Sequence, residues 1–156
     1  MFVGNGFDIH KHSKGENLIL GGIRVDGDGF EAHSDGDIVL HSLCDALLGS
    51  KAKKDLGFYF PSDETTPKGI SSVDMLNKVL EIIEIDKLKI NNVDITVLSQ
   101  VINISKISDN ICSNLANLLN VDKNVINVKG KSFDHLGVIG DGTASACMAL
   151  VSVDNA

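Results

Sequence analysis

No apolar run in the chain is long enough to cross a membrane, and Met1-Phe2-Val3-Gly4 has neither the basic start nor the apolar stretch of a secretory leader. A cytoplasmic location and no membrane contact are the expectation. The chain also lacks any cluster of lysine and arginine. With 14 Lys and Arg against 21 Asp and Glu, the formal net charge is −7, which excludes a nucleic-acid surface built as a basic stripe. An anionic ligand must then be met locally, by a metal ion, backbone N–H groups or single lysines. Cysteine is scarce: Cys44, Cys112 and Cys147 form no CxxC pair and lie in apolar segments. The odd count suits buried free thiols in a reducing compartment and excludes a disulfide framework. Cys44 stands three residues after His41, within conceivable reach of a metal but behind the carboxylates and imidazoles described next. No internal repeat, low-complexity tract or domain boundary is visible. The 156 residues read as one domain, 1–156, able to fold without disulfides or structural metal.

What is present is organised around His33 to Gly49, HSDGDIVLHSLCDALLG. Ser34, Asp35 and Gly36 form a polar approach, and apolar residues then recur at helical spacing from Ile38 to Leu48. Asp35 is the expected N-cap, and Asp37 in the first turn sets negative charge at the positive end of the helix dipole. His41 lies one turn after Asp37 and one turn before Asp45, on a face bordered by Leu40, Leu43, Leu47 and Leu48. An imidazole there is either a satisfied core residue or a ligand. A second pair, Asp8 and His10, stands on an expected strand near the start, where residues i and i+2 share a face about 7 Å apart along the backbone. One carboxylate and two imidazoles leave a tetrahedral Zn²⁺ with an open fourth position, the catalytic arrangement. Asp37 or Asp45 is placed to orient the second nitrogen of His41.

Around this centre the chain reads in order as follows. A first strand is followed by a polar loop at Lys11–Asn17 and by LILGGIRV, a hairpin turning at Gly21-Gly22. Asp26-Gly27-Asp28-Gly29 suggests a calcium loop, but Glu31 occupies its glycine position and no helix precedes it. Gly49 is the expected C-cap, with Lys51 to Lys54 at the helix end. The loop from Asp55 to Glu64 is aromatic, carboxylate-rich and too mixed for a linker. Ser71 opens a second helix with Asp74 as a variant capping box, burying Val73, Leu76, Leu80 and Ile83. Asn92–Val101 alternates as a strand with Val93, Ile95, Val97 and Val101 on one side. A third helix, Ser108–Asn120, buries Ile111, Leu115, Leu118 and Leu119. Strands at Val125–Lys129 and Ala144–Val153 end the chain. The fold class is α+β, a mixed sheet of about four main strands with three helices on one face. The other face needs cover, and the apolar run Ala144–Val153 points to self-association.

GFDIH, HSDGDIVLHSLCDALLG, DLGFYFP, KGISS, NVDITVLSQ and INVKGKSFDHLG together resemble, in order and spacing, the conserved segments of the 2-C-methyl-D-erythritol 2,4-cyclodiphosphate synthase family. The resemblance runs from about Phe2 to Val153, and the HSDGD-x3-H block with the upstream D-x-H carries most of its specificity. It implies a homotrimer with active sites between subunits, which converts 4-diphosphocytidyl-2-C-methyl-D-erythritol 2-phosphate into the 2,4-cyclodiphosphate and CMP in non-mevalonate isoprenoid synthesis. By position Asp8, His10 and His41 match zinc ligands, the first two also bordering substrate. His33 and Ser34 match phosphate contacts, His33 with a catalytic role. Asp55, Gly57, Phe60, Pro61, Ser62, Asp63 and Glu64 match the methylerythritol-binding part. Ser99, Gln100, Val101, Ile102 and Asn103 match the segment whose backbone reads cytosine. Lys131, Ser132, Phe133 and Asp134 match the loop that holds the diphosphate and a second divalent ion, Mg²⁺ or Mn²⁺, with Ser132 catalytic.

The chain departs from that pattern in three places. Lys131-Ser132-Phe133-Asp134 replaces a Thr-Thr-Thr-Glu run, and Asp134 is one methylene short for direct coordination of the second ion. Val101-Ile102-Asn103 replaces Ala-Pro-Lys in the cytosine segment. Several relatives carry an apolar tunnel along the threefold axis, closed by arginines that are each partnered by a glutamate; those two positions are Asp141 and Met148 here. The competing expectations are a zinc-dependent phosphohydrolase of a small phosphorylated metabolite and a non-catalytic metal-binding assembly protein.

Overall fold

The structure, a computed structural model, describes residues 1–156. Strand β1 (Phe2–Leu20) is unusually long because it serves two partners. Its first half pairs antiparallel with β5 (Ala144–Asn155), and its second half pairs with β2 (Ile23–Phe30) across the Gly21-Gly22 turn. The polar loop expected at Lys11–Asn17 is therefore strand. Its register slips twice against β2, between His12 and Asn17 and again at Leu18, and most of its side chains face solvent, so no apolar alternation marks it in the sequence.

Strands β3 (Leu88–Leu98) and β4 (Ile126–Lys131) complete a mixed sheet in the order β2-β1-β5-β3-β4, in which only β3 and β4 run parallel. The sheet thus has five strands where about four were expected. Strand β3 starts earlier and ends at Leu98, leaving Val101 61% exposed instead of on the buried side with Val93, Ile95 and Val97. The reason is local: Ser99 Oγ accepts from the N–H groups of Val101 (3.3 Å) and Ile102 (3.1 Å) and turns the chain off the sheet.

Three helices of the expected positions form, α1 (Ile38–Ser50), α3 (Ser72–Ile82) and α4 (Ser108–Leu119), with two single-turn helices, α2 (Leu56–Tyr59) between α1 and α3 and α5 (Gly137–Gly140) between β4 and β5. Ser71 caps α3 through Val73 N–H, and its core side is Met75, Leu76, Val79 and Ile83, with Val73 and Leu80 only partly buried. In α4 Ile111, Leu115 and Leu119 are buried, whereas Leu118 is partly so.

Helix α1 is the centre of the core, and two details of its ends differ from expectation. Its N-cap is Asp37, not Asp35: the fully buried carboxylate accepts from Val39 and Leu40 N–H, both at 3.0 Å, and also from Gly21 (2.9 Å) and Gly22 (2.6 Å) across the fold. Its C-cap is Lys51 rather than Gly49, because Gly49 and Ser50 stay helical. The helix is apolar almost all round, which fits a central position. It can lie close to the sheet because β1 offers Gly4 and Gly6, where a Cβ would strike the carbonyl oxygens of Ala46 and Ser42.

Register fixes the faces. Gly6 pairs with Ala149, Ala149 with Ile95, and Ile95 with Val128, a row that lies under the helices. Asp8 and His10 share the parity of Gly6 and so face α1. The opposite parity presents Val3, Phe7, Met148 and Leu150, each roughly half exposed at 46–54%, on a sheet face that no helix covers.

Candidate active site

Asp8 and His10 come from β1, and His41 rises from α1 to meet them. Asp8 Oδ2 lies 3.0 Å from His41 Nδ1 and 3.4 Å from His10 Nε2. All three ligand atoms fall within 4.8 Å of one another. A tetrahedral ion with bonds of about 2.0 Å needs its ligand atoms about 3.3 Å apart, so the group fits a zinc-sized ion.

The remaining nitrogens are held from behind. His10 Nδ1 faces the Gly36 carbonyl at 3.4 Å. His41 Nε2 lies 2.9 Å from Ser72 Oγ and 3.2 Å from Ser34 Oγ. Ser72 in turn donates to the Asp35 carboxylate, which also accepts Ser72 N–H at 2.9 Å. The orienting group behind His41 is therefore a hydroxyl backed by Asp35, and neither Asp37 nor Asp45 serves there. Asp37 is committed to four backbone N–H groups, and Asp45 Oδ1 accepts from Leu56 N–H at 2.7 Å. Such outer partners fix the ring and tautomer of a ligating histidine. Ser72 was not singled out in the sequence; its only signal was membership of the KGISS segment.

Electrostatics follow from this packing. Burial works against a charged His41, but the hydrogen bond and charge of Asp8, with Asp37 and Asp35 beyond, outweigh it and raise its pKa. Burial raises Asp45, and it pushes the Cys44 thiol well up. Cys44 is fully buried and outside the ligand group, so it is a core residue.

The ligand group opens on a cavity of about 240 Å³ whose walls include His33, Ser34, Asp45, Gly57, Phe60, Ser62 and Thr66. The His33 loop is pinned by Gly69 N–H to His33 O (2.7 Å) and Asp35 N–H to Ile70 O (3.1 Å), and His33 Nε2 faces Thr66 O at 2.8 Å. Asp55 caps α2 through Phe58 N–H rather than lining the cavity, and Pro61, Asp63 and Glu64 lie along the same loop outside its walls.

A second cleft, of about 340 Å³, brings Ser99, Gln100, Val101, Ile102 and Asn103 together with Lys131 and Ser132. Phe133 and Asp134 lie beyond it on an exposed turn, where Gln100 Oε1 accepts from Phe133 N–H at 3.3 Å and Asp134 has φ +49°. Within one chain the expected site residues that line a cavity fall into two separate clefts, and Asp134 stands apart from Asp8, His10 and His41.

The fold is thus an α+β domain whose five-stranded mixed sheet brings two imidazoles and a carboxylate, a group that could hold a metal ion, to the wall of a polar cavity. Residues 1–154 match the sequence model of the YgbB family. The 2-C-methyl-D-erythritol 2,4-cyclodiphosphate synthase of Halothermothrix orenii is 36% identical over 152 residues, 97% of this chain and 92% of that one. The IspF–CDP complex of Plasmodium falciparum superposes with a TM-score of 0.85 at 37% identity, covering 99% of this chain and 96% of that one. The bifunctional IspDF of Campylobacter jejuni gives a TM-score of 0.93 at 32% identity, and there the chain covers 99% of itself but 42% of its relative. The chain belongs to the YgbB family and is an enzyme of the 2-C-methyl-D-erythritol 2,4-cyclodiphosphate synthase type, with a role in isoprenoid biosynthesis.

Proposed function

We propose that the enzyme converts 4-diphosphocytidyl-2-C-methyl-D-erythritol 2-phosphate into 2-C-methyl-D-erythritol 2,4-cyclodiphosphate and CMP. The observation that carries the reading is the convergence of Asp8, His10 and His41 on one point at the wall of the His33 cavity, each imidazole tied from behind. These three residues would hold Zn²⁺, which would supply a Lewis acid for a phosphate oxygen.

In the reaction a 2-phosphate oxygen forms a bond to the β-phosphorus, the bond from that phosphorus to the bridging oxygen breaks, and CMP leaves with the bridging oxygen. The nucleophile is already an anion at neutral pH, so no side chain has to remove a proton. The chain's task is to fold a flexible polyanion back on itself and to hold the reacting atoms in line. Ser34 and His33 border the phosphates, while Asp55, Gly57 and the Phe60–Glu64 loop receive the methylerythritol part. Ser99 to Asn103 receive cytosine through backbone groups. Lys131 and Ser132 contact the diphosphate, where a Mg²⁺ or Mn²⁺ ion carried with the substrate would neutralise part of its charge.

Two separate clefts in one chain support a site completed between subunits. The uncovered sheet face, with Phe7, Met148, Val3 and Leu150 exposed, supports a homotrimer formed around the sheets. The test is incubation of the protein with the cytidylyl substrate and Mg²⁺. Equimolar CMP and cyclodiphosphate are expected; free phosphate without CMP would instead indicate a zinc-dependent phosphohydrolase.

A further inference from the structure

A buried polar chain links β1 to the second cleft. His12 Nε2 lies 2.8 Å from Ser145 Oγ on β5, and Ser145 Oγ lies 2.7 Å from Ser99 Oγ at the end of β3. Ser145 is fully buried and Ser99 is 6% exposed, so these hydroxyls must satisfy each other and their neighbours without bulk water. Ser99 Oγ also accepts from the N–H groups of Val101 and Ile102. The chain therefore ends on the backbone of the segment that lines the cleft.

His12 is itself fixed. Its ring packs on Phe30 with centroids 4.6 Å apart, and Nδ1 faces the Asp28 carbonyl at 3.1 Å, where it must carry a proton and donate. That leaves Nε2 held at one place and angle toward Ser145. Neither His12 nor Ser145 lines the metal cavity or belongs to the ligand group. A core of this size does not require an imidazole and two hydroxyls in contact, and each is costly to bury unless all are paired.

Resting on the reading of Ser99–Asn103 as the cytosine segment, we propose that His12 is a positioning residue for nucleotide binding. Through Ser145 it fixes the Ser99 hydroxyl, which sets the Val101 and Ile102 backbone in the conformation that meets the base. Preorganising that turn before the ligand arrives lowers the entropy lost on binding.

The test compares the full-length wild type with His12→Ala, His12→Gln and Ser145→Ala. Two quantities are read: CDP affinity by calorimetry with Mg²⁺ present, and amide hydrogen exchange of residues 99–103 without ligand. Loss of one buried hydrogen bond predicts about fivefold weaker CDP binding for His12→Ala. Faster exchange at Val101 and Ile102 and unchanged zinc content should accompany it. His12→Gln can bring its amide oxygen within reach of Ser145 as the acceptor that replaces Nε2, and it is expected to recover most of both effects, which a general packing defect would not. Ser145→Ala should reproduce His12→Ala, and it decides the matter if His12→Ala fails to fold. Unchanged exchange at 101 and 102 in the variants, or equal losses in His12→Ala and His12→Gln, would overturn the proposal. A wild type that ignores CDP would sink the cytosine reading instead, while the exchange comparison would still decide whether His12 positions the segment.

Discussion

Ser72 Oγ sits between His41 Nε2, at 2.9 Å, and the carboxylate of Asp35, so the imidazole that faces Asp8 is oriented from behind by a hydroxyl that is itself oriented. Removing the hydroxyl leaves Asp8, His10 and His41 in place but leaves the ring only the longer contact with Ser34 Oγ, at 3.2 Å, behind it. Ser72→Ala is therefore expected to weaken zinc binding by roughly 10- to 100-fold, measured by competition with a chromophoric chelator. Asp35 Oδ2 still accepts Ser72 N–H in that variant, so α3 should stay docked. An unchanged zinc affinity would show that the hydroxyl is ornamental.

His41 gives a pH dependence whose direction follows from its surroundings. Its raised pKa means that the metal-free ring keeps its proton above the ordinary histidine value of 6.5. Zinc needs the neutral ring and must displace that proton. Apparent zinc affinity should rise with pH and go on rising above 6.5, whereas in the metal-free protein the stability contributed by the His41–Asp8 contact is complete below 6.5 and is lost as pH rises through the raised value. His41→Ala should abolish zinc binding and turnover yet keep a native circular dichroism spectrum, because Leu40, Leu43, Leu47 and Leu48 carry the core of α1 at 0–1% exposure. An affinity that stays flat between about pH 6 and pH 8 would contradict this account.

The convergence of Asp8, His10 and His41 was legible in the sequence because it depends on two short-range rules. Period two puts Asp8 and His10 on one face, and helical spacing puts His41 on the polar strip of an otherwise apolar helix. What was not legible depends on contacts between distant segments. Asp37 takes the cap from Asp35 because the Gly21-Gly22 turn, remote in sequence but packed against the start of α1, also needs an acceptor. Asp35 is released to Ser72, 37 residues away. The strand through Lys11–Asn17 has the sequence of a loop because an exposed, bulged ribbon has no apolar period to betray it.

The double duty of Asp37 makes it the most sensitive polar residue of the core. Asp37→Ala would leave four backbone N–H groups without their acceptor, two of them at the start of α1. The expected loss is roughly 3–5 kcal/mol of stability, measurable by urea denaturation. Burial pushes the Asp37 carboxyl up to about 6 against the pull of Leu40, Gly22 and Gly21 N–H. The folded chain therefore binds this proton more tightly than the unfolded one, and the group's contribution to stability falls as pH rises from its ordinary 3.8 through about 6. An Asp37→Asn variant whose stability relative to wild type is the same at both ends of that window would refute the assignment.

Asp134 occupies a turn with φ +49°, a conformation that suits Asp better than Glu, which gives the shorter side chain a local reason to be there. Asp134→Glu should cost a little loop stability. It should also lower the Mg²⁺ or Mn²⁺ concentration needed for half-maximal rate, since the added methylene carries the carboxylate about 1.5 Å further toward an ion that binds oxygen at about 2.1 Å. The rival account gives the ion's role to Lys131. Unchanged metal dependence in Asp134→Glu together with complete loss of activity in Lys131→Ala would decide for the rival.

Charge on the axis of the proposed trimer decides which guest it can hold. The family pattern implies arginine–glutamate pairs with the charge to hold a diphosphate on such an axis; at those positions this chain has Asp141 and Met148. Asp141 follows α5, and the side-chain and backbone hydrogen bonds of Thr143 hold its carboxyl below the usual range, so it is ionised at neutral pH. Met148 pairs with Phe7 on the uncovered sheet face, and the two are 52% and 54% exposed. Three carboxylates around a common axis repel a diphosphate instead of clamping it, although the apolar lining can still admit an uncharged or cationic guest. Native mass spectrometry and calorimetry should therefore detect no geranyl or farnesyl diphosphate bound to the wild type apart from the active-site metals. The Asp141→Arg, Met148→Glu double variant restores the missing pair and should gain such binding. Retention of one isoprenoid diphosphate per wild-type trimer at micromolar affinity, independent of the active-site metals, would show that the axis recognises its guest through something other than these two positions.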